Sequence, residues 1–145
     1  MQPCSVFTAP PQAAWTAPDS VLIKDRDVWL AHPWSLGAPP QTFQIHGSVI
    51  GVGFAETHAA QPWSAQRWSF VTQGLQTHTA HLWWGSTAQL AQALRAARSV
   101  SWQPDPHMHA AVLCAQERSP KPLFEAVKTY CPSFAQWWRR TKIAE

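Results

Sequence analysis

The 145-residue chain is long enough for one hydrophobic core and short for two. A net charge of +3, with only 13% charged residues, falls well short of a nucleic-acid-coating surface, and 46% hydrophobic residues exclude intrinsic disorder. No run of ~18 apolar residues offers a membrane span; no charged and apolar leader marks secretion; and three cysteines, few and odd in number, suit a reducing cytoplasm.

Residues 1–19 carry Pro3, Pro10, Pro11 and Pro18 without periodicity and read as a loose N-terminal arm. The domain proper is expected over residues 20–112. Val21-Leu22-Ile23 is a short apolar run read as the first strand, closed by the charged loop Lys24–Asp27. Val28–Leu36 is apolar but broken by Pro33. Gly47–Phe54 is nearly continuous in apolar residues and glycine, the pattern of a strand buried on both faces of a parallel sheet. Over Pro62–Gln76 the spacing turns helical through Trp68, Val71 and Leu75, with Ser64 as N-cap. Ala80–Gly85 is the next strand. Ser86 or Thr87 then caps a helix over Ala88–Ala97, and Arg98 supplies a cation at its end. Ser99–Trp102 is a further strand, stopped by Gln103-Pro104-Asp105-Pro106. Ala110–Cys114 forms one more strand or a short helix. Residues 113–145 form a helical extension split at Pro132, with Ser133 capping its second piece. Strands alternating with helices predict a three-layer, doubly wound α/β domain on a mostly parallel sheet of roughly five strands.

In such sheets ligands sit beyond the carboxyl ends of the strands. The loops predicted there carry Arg26, Asp27, Glu56, His58, Ser86, Asp105 and His107, the candidate ligand-binding residues. Arg26 and Asp27 are better explained as a pair that fixes its turn. The glycines of Gly47–Phe54 lie inside a strand and cradle no phosphate. His78-x-x-His81 and His107-x-His109, with Cys114 the nearest thiol, fall short of a zinc ligand set and read as surface histidines, so no metal is expected. No nucleophile motif is present, and Cys114 and Cys131 read as inert. Pro33-Trp34-Ser35 and Pro62-Trp63-Ser64 repeat a tripeptide in which Trp precedes a capping Ser.

The order of these pieces resembles the N-terminal α/β domain of the photolyase/cryptochrome family. Val21–Leu36 is similar to its opening strand and Arg-Asp turn, with Arg26-Asp27-Val28-Trp29-Leu30 in the turn. Ser48–Phe54 is similar to its second strand, Ser64–Gln76 to the following helix, His81–Gly85 to its third strand, and Ser86–Trp102 to the next helix and strand. The chain departs from the family at Trp29, where a second Arg is usual, and at His32-Pro33, where Asp-Asn is usual. The stretch after Val112 is too short for the family's helical flavin domain, so FAD is not expected on this chain. The resemblance implies a stand-alone module holding an antenna chromophore or a nucleotide-type ligand, or serving a separate helical flavin-binding protein. Two other classes stay open: a small nucleotide-binding enzyme using Asp25, Asp27 or His107, and a purely structural interaction module.

Ten Trp against one Tyr is the most unusual feature of the composition. Most are expected in the core, with a few partly exposed. Trp137-Trp138-Arg139-Arg140 is a candidate partner interface, for self-association or another protein and less so for DNA. Neighbouring helical residues face ~100° apart, so one Trp should dock inward and the other should face a partner.

Overall fold

A computed structural model describes residues 5–10, 13–107, 116–117 and 127–141. In chain order the elements are β1 (Val6–Phe7), β2 (Trp15–Thr16), a 3-10 turn (Ser20–Ile23), β3 (Asp27–Ala31), α1 (Gln41–His46), β4 (Ser48–Phe54), α2 (Ala55–Ala60), β5 (Trp63–Ser64), α3 (Ala65–Gln76), β6 (Leu82–Gly85), α4 (Thr87–Leu94), β7 (Ser99–Trp102), β8 (Gln116–Glu117) and α5 (Phe134–Arg140).

The fold is α/β. Six parallel strands form one sheet in the order β2-β6-β4-β3-β7-β8, and β1 pairs antiparallel with β5 outside it. The chain steps outward from β3 to β4 to β6, then returns to the far side of β3 as β7. The reversal of direction therefore falls between β3 and β7, where Asp27 to Leu30 pair with Ser99 to Trp102. That reversal also decides which face each helix covers. The odd face of β3 carries Trp29, packed on Phe43 of α1, and Ala31, packed with Trp68, Val71 and Leu75 of α3. The other face packs Val28, Leu30, Ile50, Val52, Phe54, Val100 and Trp102 against Leu90, Ala93 and Leu94 of α4. Three layers result, with a core on each side of the sheet.

The alternation in Ser48–Phe54 explains its glycines. Ile50, Val52 and Phe54 fill the α4 side. On the opposite side a Cβ at Gly51 would lie 2.5 Å from Leu82 Cδ2, and one at Gly53 would lie 2.7 Å from Trp84 Cε3 and 3.2 Å from Trp15 Cζ3. The glycines thus leave room for a layer of large side chains rather than for a turn. Trp68, fully buried, forms part of that layer, and burial of one indole removes on the order of 200 Å² from water, worth roughly 5 kcal/mol. Its Nε1 donates to the Phe7 carbonyl at 3.1 Å, and Trp15 Nε1 donates to Thr72 Oγ1 at 3.0 Å.

Both expected caps on the long helices are present. Ser64 Oγ accepts from Arg67 N, and Ser86 forms a reciprocal capping box with Gln89. Ser133 caps α5 through Gln136 N. Several expectations are corrected. Val21–Ile23 is a 3-10 turn, because Asp19 Oδ1 accepts from Val21 N and only Ile23 turns inward. The first strand of the crossover series is instead Asp27–Ala31, so the charged loop before it lies at the amino ends of the sheet. The described part of the N-terminal arm is tied down, Val6–Phe7 to β5 and Trp15–Thr16 to β6. The loop expected after β4 is helix α2, and α4 ends at Leu94, followed by tight turns in which Ala96 N and Ala97 N donate to Ala93 O and Leu94 O. The strand or helix expected over Ala110–Cys114 lies outside the described residues.

Gly53→Ala should destabilise the protein by roughly 1–3 kcal/mol through overpacking against Trp84. Gly37→Ala, with nothing within 4 Å of the new Cβ, should leave the urea midpoint nearly unchanged.

Candidate functional site

The reversal between β3 and β7 places two short segments side by side at the carboxyl ends of the sheet. After β3 come His32, Pro33, Trp34 and Ser35; after β7 come Gln103, Pro104, Asp105, Pro106 and His107. They are stitched together. His32 Nε2 bonds the Gln103 carbonyl at 2.8 Å, and so carries the proton there, while Ser35 Oγ donates to Gln103 Oε1 at 2.9 Å. Ser35 therefore bridges the two loops, unlike Ser64, which caps a helix.

The centre of this region is a stack of rings. Trp34 lies between two imidazoles, His107 at 4.8 Å and 6° on one side and His58 at 5.6 Å and 3° on the other. His58 projects from α2 into a cage of Trp34, Trp63, Trp68 and Trp84. It is fully buried, and neither ring nitrogen has a hydrogen-bond partner among the described residues. Burial, together with the charge of Arg67, pushes its pKa down from 6.5 to about 4, so the ring is neutral at pH 7. Burial also lowers His32, against the raising effects of its bond to Gln103 and of Asp105.

His107 is the solvent end of the stack. Its ring Nδ1 lies 2.7 Å from Asp105 Oδ1, and its backbone N–H donates to the same oxygen at 2.9 Å. Burial pushes the Asp105 carboxyl up, but these hydrogen bonds and the charges of His107 and His32 outweigh it and hold the group below the usual carboxylate range. Beside His107 opens a hollow of about 320 Å³ bounded by Glu56, Thr57, Ala60, Gln61 and Pro106. Thr57 Oγ1 is buried there without a partner.

The candidate residues thus divide between two ends of the molecule. Asp105, His107, His58, Glu56 and Ser86 gather at the carboxyl ends. Glu56 and Ser86 serve α4: the Glu56 carboxylate accepts from Thr87 N at 3.0 Å and from Thr87 Oγ1 at 3.1 Å, and Ser86 caps the same helix. An anion of the protein's own already occupies that helix N-terminus, where α/β folds bind phosphate. Arg26 and Asp27 lie at the amino ends. They do not pair: Asp27 holds Arg98, and Ser99 at 2.6 Å, whereas Arg26 reaches only Ser48 Oγ at 3.5 Å. Arg98 therefore serves Asp27 rather than the end of α4. The residues the sequence reading missed are His32, Trp34, Ser35 and Gln103; the repeated Pro-Trp-Ser was the one signal of Trp34.

No group of three or more metal-ligating side chains gathers among the described residues, and His78 is engaged with the Leu36 carbonyl at 3.0 Å. His109 and Cys114 lie outside the described residues. In α5, Trp137 is half-buried and Trp138 exposed, with Phe134 stacked on both. No helix among the described residues is long and apolar enough to cross a membrane. No family model, curated protein or solved structure matches the chain.

The buried imidazole gives stability a pH dependence of definite sign. The unfolded chain takes up a proton at His58 near pH 6.5, and the folded protein only near pH 4. Stability should therefore be complete above pH 6.5 and fall between pH 6.5 and 4, by roughly 3 kcal/mol for this group. His58→Phe, which keeps a ring in the cage and removes two unpaired nitrogens, should be at least as stable at pH 7 and show a much flatter urea midpoint from pH 7 to 5.

Proposed function

We propose that the chain is a non-catalytic α/β module that binds a planar, ring-bearing ligand at the carboxyl ends of β3 and β7. The observation that carries this is the Trp34–His107 stack, whose outer ring is exposed beside the 320 Å³ hollow. A flat π-system laid on His107 would extend a stack already three rings deep. The position is the one where doubly wound sheets hold ligands. This reading keeps from the photolyase/cryptochrome resemblance the idea of an antenna or nucleotide-type ring held by an α/β domain. The chemistry would then belong to a separate helical flavin-binding chain, with the exposed Phe134, Trp138, Arg139 and Arg140 of α5 as the contact surface.

The ring should come without a phosphate requirement. Glu56 fills the α4 N-terminus, and the residues around the hollow bring a carboxylate and no lysine or arginine. The independent-enzyme reading gains less support. Asp27 and His107 lie at opposite ends of the sheet, and the Asp105–His107 pair, although able to accept a proton, has no nucleophile bonded to it among the described residues.

Titration with riboflavin and with its 5′-phosphate, read by quenching of tryptophan fluorescence, tests the proposal. Both should bind, the phosphate form no tighter. His107→Ala, an exposed position, should weaken binding roughly 3- to 10-fold without lowering the melting temperature. Absence of saturable quenching, or equal binding by His107→Ala, would remove the basis for the reading.

A further inference from the structure

The hollow beside His107 is not the largest one. A second, of about 630 Å³, opens at the amino ends of the strands, on the opposite side of the sheet's long axis from the ring stack. Arg26, His78 and His81 line it, and no Asp or Glu does. Its apolar wall includes Phe43 and Val49. Arg26 is exposed, and its guanidinium finds no carboxylate among the described residues, since Asp27 is committed to Arg98 and Ser99.

Basic residues at this end of an α/β sheet commonly offset the carbonyl ends of helices. Here the last turn of α3 is closed by its own chain: Thr77 N donates to Gln73 O, and His78 N and Thr79 N both donate to Leu75 O. Helix closure therefore does not account for Arg26 or His81. Arg26, His78 and His81 come from three separate segments: the loop before β3, the turn after α3 and the approach to β6. Arg26 and His81 are thus presented to one hollow from separate segments, while His78 Nε2 is held by the Leu36 carbonyl, and such a pair suits a doubly charged phosphate better than a singly charged carboxylate.

We propose that this hollow binds a phosphomonoester, its phosphate on Arg26 and His81 and its organic part against Phe43 and Val49. The site is separate from the ring stack, and neither assignment depends on the other.

Calorimetric titration with phenyl phosphate, inorganic phosphate and benzoate tests the assignment. Phenyl phosphate should bind saturably, inorganic phosphate more weakly, and benzoate about tenfold or more weakly still than phenyl phosphate. Arg26→Gln and His81→Asn, both at exposed positions, should each weaken phenyl phosphate about tenfold, the loss expected for one charge-assisted hydrogen bond. Arg95→Gln, an exposed position outside the hollow, should bind within about twofold of the parent, as should His107→Ala. No saturation by phenyl phosphate, benzoate binding as tightly, or an equal loss in Arg95→Gln and Arg26→Gln would overturn it. Thermal melts establish that each variant is folded.

Discussion

The structure depends on a shortage of side chains. On the α3 side of the sheet, the central strand β4 offers Gly51 and Gly53 where a β-branched residue would ordinarily stand, and the space goes to Leu82, Trp84 and Trp15. Once those rings cover the strand, Trp68 and Trp63 complete a tryptophan layer, and α3 rides on top of it. The opposite face is built differently, from aliphatic residues of β3, β4 and β7 against α4, with Trp83 and Trp102 as its large members. One face is dense with indoles and the other with branched aliphatics, and among the described residues Ser101 is the one buried polar side chain on the strands between them.

The tryptophan layer also determines what the carboxyl-end crevice can be. His58 is held among four indoles, shielded from the crevice and without a hydrogen-bond partner among the described residues. Trp34 conveys the layer to the surface, and His107 ends it. Between the stitched loops and the carboxylate of Glu56 on α4, the features by which a doubly wound domain usually grips a nucleotide's phosphates are already satisfied from within. What remains available at that end is ring surface. The hollow at the other end presents Arg26 instead.

Much of the fold was legible because caps and periodicity agree. Ser64, Ser86 and Ser133 each stand before a helical repeat, and each caps it. The strands β4, β6 and β7 fall within the runs that mark them. The first strand was misplaced because Val21-Leu22-Ile23 has the composition of a strand, while Asp27–Ala31 was obscured by the proline that follows it. A side-chain cap from Asp19 decides the matter locally and cannot be weighed from composition. That error displaced Arg26 and Asp27 from one end of the sheet to the other. Two-residue strands such as β1 and β2 carry no period at all; their places are fixed by partners more than 50 residues away, Phe7 under Trp68 and Trp15 on Thr72. The site was half legible for the same reason. Asp105 and His107 follow a correctly placed strand, whereas Trp34 and His32 sit in a segment whose role appears only when β7 lies beside β3.

The short strand β2 has a consequence for association. It shields one side of β6, Leu82–Gly85, whose other side is taken by β4. Only Trp15 and Thr16 make that cover, and Trp15 is its anchor through the Thr72 hydroxyl and two edge-on indole contacts. Were it to peel away, the apolar sequence Leu-Trp-Trp-Gly would become an open sheet edge, the kind of template on which strands of other chains add. A single indole, with two residues of backbone pairing, thus covers that edge of β6 against the addition of a further strand.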